Sequence, residues 1–435
     1  MNKLRNLITM MLFVCGVSLF GEIPDLELGG MKLEFEGEVR SRLAYFNNYD
    51  MDYETSDAKI AADMRAQFAI DILTQSPFYF SILTELGNIQ FDNELEGSDF
   101  YLIELKEFYG GYNGDDVEGK AGIIDVKTPD SSVYEDDNLG VQAKIDFDFL
   151  QAKSFITMPN LLSDSWEVVD GISNLSYLAF LGASQEYFVV TDLWTMFLWD
   201  NGPEDFYYYC FWTGLELEKK YRRFSGNYGF IYNFGAATYL KIPISAYYSH
   251  LKLELETTKK TKLYSRFNLS SGTDGSSDTI NQFQVVNGEG NLETGLGLLF
   301  GGSSFSNQSY FSNESLSIVE DGLSSGDFAF SDPGLFIYEL GFEIDVNQLL
   351  DTTEFVLGGA NTGELFDGEG YFTSLIGWEM DIHNTVKFTD DLKLNLSFSY
   401  LIAGNSFNAV YELNTGDSLT LDTSFKTDCS IKYSY

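Results

Sequence analysis

From Ser418 to Tyr435 the chain reads S L T L D T S F K T D C S I K Y S Y. Apolar or neutral side chains hold every second position (Leu419, Leu421, Thr423, Phe425, Thr427, Cys429, Ile431, Tyr433 and Tyr435), while Asp422, Lys426, Asp428 and Lys432 fall between them. A period of two is a β-strand with one oily face and one wet face. A soluble domain seldom needs an amphipathic strand longer than about ten residues, whereas a tilted strand that crosses a bilayer needs about that apolar length plus flanks. The stretch is long enough to cross a membrane.

The same alternation recurs along the chain. Leu33, Phe35, Val39, Leu43 and Tyr45 are set against Glu34, Glu36, Glu38, Arg40 and Arg42, and Ile60, Met64, Phe68, Ile70 and Ile72 against Asp63, Arg65, Gln67 and Asp71. A K I D F D F, L K L E L E T, K L Y S R F N L and L K L N L S F S Y read the same way. The connections alternate too. The long acidic stretch 46–57 is followed by the short T Q S P, then the long 87–99, N G D D, and the long 127–138. Near the other end the long 301–334, N Q L L D T, 361–369, T D D and a last long connection keep the rhythm. Long external loops and tight turns on the opposite side are how transmembrane barrels are built, and they put both chain ends on one side, which requires an even strand count. At roughly 25 residues per strand with its share of loop, the length predicts an all-β, antiparallel transmembrane barrel of about 18 strands, within a range of about 16 to 20.

At the start, Lys3 and Arg5 precede an apolar run from Leu7 to Phe20 with small residues at Gly16, Ser18 and Gly21. This reads as a secretory signal peptide over 1–21, with the barrel over 22–435; Cys15 belongs to the apolar run. No later segment is apolar over the length of a membrane helix, so a spanning protein here must be a closed barrel, because open strands would leave backbone groups unpaired in lipid. Aromatic residues at 16%, 40 glycines and only 7 prolines suit aromatic girdles and unbroken ladders. Cys210 and Cys429 lie too far apart in sequence to indicate a disulfide framework.

With 26 Lys plus Arg against 66 Asp plus Glu, the chain is unsuited to nucleic acid or anionic partners. The wet faces place Glu34, Glu36, Arg40, Arg42, Asp63, Arg65, Asp71, Asp146, Asp148, Lys393, Lys426, Asp428 and Lys432 along the inside of the barrel. Such residues either set a transverse field across a water-filled lumen or form salt-bridged ladders that hold the wall. Neither His250 nor His383 neighbours a nucleophile motif, and S G T D G S S D and E D D N lack the spacing of a calcium loop. No catalytic residue, cofactor or metal site is expected.

Taken together, these features resemble the bacterial outer-membrane porins of the large-channel kind, over most of the chain that follows the signal. The C-terminal strand, with Phe425, Ile431, Tyr433 and Tyr435 at alternate positions, looks like the signal by which the barrel-assembly machinery recognises its clients. Y L I E L K E F Y G G Y and V E G K A G I I D V K T P D S S V Y E D D N are similar to the porin hairpin that leads into an inward-folded third loop. By this resemblance 127–138 is the candidate constriction, with Lys127, Asp130, Glu135, Asp136 and Asp137. The segment departs from general porins in being short, and from many specific channels in lacking an arginine after the glycine. The resemblance implies the outer membrane of a diderm bacterium, lipid around the barrel, passive diffusion of small hydrophilic solutes or cations, and compatibility with a homotrimer. Acidic loops such as Asp50, Asp52, Glu54 and Asp57 add a cation bias. A gated receptor with a plug and an autotransporter do not suit an alternation that begins near residue 31. The alternative from another class is a non-channel outer-membrane protein, or a secreted β-structural or adhesin protein.

Overall fold

The computed structural model describes residues 25–47, 58–90, 103–129, 133–158, 177–187, 189–201, 207–237, 242–272, 279, 283, 296, 317–319, 323–324, 335–346, 350–366, 371–404 and 423–434. Its wall consists of β1 (Met31–Asn47), β2 (Ala58–Leu73), β3 (Phe78–Gln90), β4 (Ile103–Asn113), β5 (Val117–Lys127), β6 (Glu135–Phe147), β7 (Leu150–Met158), β8 (Tyr177–Glu186) and β9 (Val190–Asn201). It continues through β10 (Tyr207–Tyr221), β11 (Phe224–Ala237), β12 (Ile242–Thr258), β13 (Thr261–Ser270), β14 (Leu335–Asp345), β15 (Leu350–Phe366), β16 (Tyr371–Lys387), β17 (Leu392–Ala403) and β18 (Thr423–Ser434). Each strand pairs antiparallel with the next, and β18 returns to β1 in the register Glu38↔Ser434 to Asn47↔Phe425. The sheet is therefore a closed barrel of 18 strands, as the length and the even count predict.

A three-residue strand, Leu26–Leu28, folds back on the start of β1 and extends the edge that β18 covers further along. The reversal uses Gly29 and Gly30, whose φ angles of 59° and 90° are open to glycine at little cost.

Period two fixes which way each side chain points. On one face of the sheet large apolar groups stand uncovered: Phe80 is 53% exposed, Leu193 59% and Leu340 63%. Rings stack there across strands, as in Phe197–Phe211 at 4.5 Å and Phe211–Phe234 at 5.2 Å. A soluble sheet would bury such a face. Here it points outward all round, and the charged face points in.

The connections alternate between the two ends as predicted, although 238–241 and 367–370 are no longer than the longest turns of the other end. At one end they are short: 74–77, 114–116, 148–149, 187–189, 222–223, 259–260, 346–349 and 388–391. At the other end lie 48–57, 91–102, 128–134, 159–176, 202–206, 238–241, 271–334, 367–370 and 404–422. Two of these are shorter than the sequence suggests. Long strands β15 and β16 reduce 361–369 to 367–370, and pairing of Lys127 with Glu135 reduces 127–138 to 128–134. Residues 1–24, which contain the expected signal peptide, lie outside the described residues.

Candidate functional site

Eleven of the expected lining residues share the inward face: Glu34, Glu36, Arg40 and Arg42 on β1, Arg65 and Asp71 on β2, Asp146 on β6, Lys393 on β17, and Lys426, Asp428 and Lys432 on β18. Asp63 is the ladder partner of Arg42. Asp148 is a correction: it sits in the two-residue turn between β6 and β7, where the chain reverses, and so is not on the wall.

The inward charges are paired with one another. Lys393, Lys432, Arg40 and Arg65 form one cross-strand row over β17, β18, β1 and β2. One step along, Glu38 accepts from Lys432 at 2.5 Å and faces Arg65 at 3.5 Å, while Glu85 meets Arg65 at 3.6 Å and Gln67 at 2.7 Å. On β5–β7, Lys144 lies 3.6 Å from Glu118 and 3.5 Å from Asp146, whose carboxylate accepts from Gln151 at 2.6 Å. On β10–β14, His250 Nε2 lies 3.0 Å from Glu216 and 2.9 Å from Asn227, Lys262 meets Glu343 at 3.2 Å, and Arg266 meets Glu339 at 3.0 Å. This is the salt-bridged ladder arrangement.

Across from the charged strands the wall is apolar. Phe155 stacks on Phe180 at 4.7 Å, Phe180 lies 6.0 Å from Trp194, and Met196, Leu178 and Trp212 complete a cluster that is almost wholly buried. These side chains belong to the inward face, since Phe155 pairs with Gln142 and Trp212 with Asn233. Residues from two connections cover them. Val133 and Tyr134, from the link between β5 and β6, are fully buried in the cluster, and Tyr134 lies 6.5 Å from Phe155. Phe283, from 271–334, lies 5.6 Å from Tyr248 of β12. Leu296 of the same connection is fully buried against inward-facing Gly358 of β15. At Phe283 and Leu296 this connection enters the barrel.

Close packing inside the wall also relies on glycines. Ring atoms of Trp194 at Gly214, of Tyr79 at Gly111 and of Tyr264 at Gly341 stand where a Cβ would be. An aromatic ring laid over a cross-strand glycine fills the gap it leaves in the pleat.

The expected constriction differs from the structure in its placement. Lys127, Glu135, Asp136 and Asp137 are strand residues, paired as Lys127↔Glu135, Val126↔Asp136 and Asp125↔Asp137. Asp136 shares its face with inward Asn138, which donates to it at 2.7 Å. Glu135 and Asp137 share their face with outward Leu139 and Val141. Asp130 lies outside the described residues. Phe425, Ile431 and Tyr433 lie on the outward face of β18, with Phe425 6.0 Å from Tyr45 and 6.2 Å from Phe398; Tyr435 lies outside the described residues.

Sequence reasoning missed the apolar sector. Its signal was present in β9, V T D L W T M F L W D N, which is apolar on both faces and so asks for burial on both sides. The row His383–Ser397–Asp428 holds the three residue types of a nucleophile relay, but the serine lies in the middle and its Oγ makes no hydrogen bond. A relay needs the histidine in the middle.

No family model and no curated protein matches the sequence. Solved structures do. Pseudomonas aeruginosa OccK5 (OpdH) aligns at 12% identity over 92% of this chain and 97% of its own, with a TM-score of 0.55. Pseudomonas aeruginosa OpdQ aligns at 13% identity over 92% and 98%, also at 0.55. Pseudomonas aeruginosa OccK2 (OpdF), solved in complex with glucuronate, aligns at 12% identity over 92% and 96%, at 0.54. At these identities the likeness is one of architecture, and the chain has the fold of the large-channel outer-membrane porins.

Proposed function

We propose that this protein is an outer-membrane porin of a diderm bacterium, a passive channel for small hydrophilic solutes that runs no chemistry of its own. The observation that carries this reading is the two-sided wall: uncovered apolar groups outside, and paired charges and polar groups inside a closed 18-strand ring. Outer-membrane lipid would contact the outward face. Phe425, Ile431, Tyr433 and Tyr435 would be read by the barrel-assembly machinery, and the protein would assemble as a homotrimer. The narrowest part would lie between the charged strands and the apolar sector, where Tyr134, Phe283 and Leu296 take up lumen space. The excess of acid, 66 against 26, supports a preference for cations.

A second reading of the solute rests on the row Lys393–Lys432–Arg40–Arg65. A line of cations along the wall would guide carboxylate-bearing solutes, and the glucuronate complex of OccK2 is a precedent in a protein of this fold. Single-channel conductance of the refolded protein in a planar bilayer, with the reversal potential in a salt gradient, tests both. Open-channel currents with a cation-selective potential support the first reading, and an anion-selective potential supports the second. A folded barrel that gives no current overturns the channel and leaves a non-channel surface protein.

A further inference from the structure

The inward wall formed by β16, β17, β18 and β1 contains a closed polar niche. Asp428, at mid-length of β18, is 5% exposed, and both its carboxylate oxygens are buried with no hydrogen-bond partner. Its direct ladder partners are Ser397 on β17 and Ala44 on β1, so a small residue stands on either side of it. The hydroxyls of Ser397 and Ser399 are buried and also lack a hydrogen-bond partner. Lys426, wholly buried, leans over the Phe46 ring at 5.3 Å, and its Nζ lies 3.9 Å from Asp428, beyond hydrogen-bond distance.

The Asp428 carboxylate and the Ser397 and Ser399 hydroxyls thus stand on adjacent strands without a hydrogen bond, and the Lys426 ammonium at 3.9 Å meets the carboxylate only as a long ion pair. A buried carboxylate in that state costs several kcal/mol unless a charge or donors meet it. Glu379, Asp381 and Arg42 stand near the Lys426 ammonium beside it. We propose that the niche between Asp428, Ser397 and Ser399 binds a single monovalent alkali cation that neutralises Asp428 and ties β17 to β18. Hard oxygen donors suit such an ion. A calcium ion would ask for six to eight oxygens and several carboxylates, and the nearby ammonium of Lys426 disfavours a second positive charge on it. The site depends only on the fold and not on whether the barrel conducts.

The test uses the refolded full-length barrel in detergent at fixed pH and ionic strength, with sodium or potassium chloride exchanged for N-methylglucamine chloride. The temperature at which the folded gel band converts to the unfolded one is expected to rise with alkali cation in a saturating way. Asp428→Asn is expected to abolish that rise, and Ser399→Ala to weaken the apparent affinity by about tenfold, the size of one lost polar contact. Sodium NMR should show line broadening by the wild type in excess of Asp428→Asn, which corrects for loose ions on the acidic surface. Equal transition temperatures in all three salts, or equal line widths for the two proteins, would overturn the site and leave ordered water in the niche. If Asp428→Asn does not fold, the salt exchange on wild type and Ser399→Ala decides.

Discussion

Arg266 and Glu339 face one another across the β13–β14 ladder, Nη1 to Oε2 at 3.0 Å, with the glutamate side chain wholly out of solvent. Removing one member of such a pair strands a charge in a dry place. Glu339→Ala is therefore expected to destabilise the barrel by about 3 kcal/mol or more, read as an earlier heat conversion of the folded gel band. The double change Arg266→Met with Glu339→Leu should recover most of that loss, because neither charge then remains.

Glu38 holds Lys432 at 2.5 Å and Arg65 at 3.5 Å. Glu38→Gln removes that acid and leaves Lys393, Lys432, Arg40 and Arg65 as a less compensated row. The reversal potential in a salt gradient should move towards anions relative to wild type, and the shift should shrink as the salt concentration is raised. An unchanged potential would mean that the solute path avoids this side of the wall.

Phe283 is buried against Tyr248 inside the barrel. Truncation to Ala gives up about 3 kcal/mol of packing at that point and loosens the hold of 271–334 on the wall. Single-channel recordings of Phe283→Ala should show a larger conductance than wild type. The heat conversion of the folded band should also come earlier, because the packing is lost from the folded barrel.

Trp194 rests where a Cβ of residue 214 would lie, whereas a Cβ at Gly119 would come no nearer than 3.7 Å to Gln142 O. Gly214→Ala must push the indole aside and is expected to cost about 1 to 3 kcal/mol. Gly119→Ala should be close to neutral. The same heat-conversion assay ranks the two, and equal transition temperatures would rule out the ring-on-glycine contact as a source of stability.

The strands were legible wherever one face meets lipid and the other meets charge, as in β1, β2, β17 and β18, because only there does the period of two show in residue types. It fades in β9, where Leu193, Phe197 and Trp199 face out while Trp194, Met196 and Leu198 pack inside. The boundary at Lys127 was missed for another reason. Pro129 and the acids 135–137 have the composition of a loop, yet the ladder Lys127↔Glu135 incorporates those acids into β6, and pairing between strands is not written in either strand alone. The entry of 271–334 into the lumen rests on single side chains, Phe283 and Leu296, that meet Tyr248 and Gly358 from far along the chain. No local pattern marks such contacts. The niche at Asp428 was half legible: the acid was placed on the inner wall by its period, but that its carboxylate makes no hydrogen bond depends on how its ladder partners Ser397 and Ala44 are set.

The ladder from Glu38↔Ser434 to Asn47↔Phe425 joins the first wall strand to the last. Every other seam in the wall joins strands that follow one another in the chain, most of them across short links; this one must wait until all the other wall strands have been delivered. Until then β1 and β17 are bare edges, each able to recruit a strand from a stranger. The ring is thus sealed by the last-made of its wall strands, and a chain halted before Thr423 would carry two sticky margins in place of none.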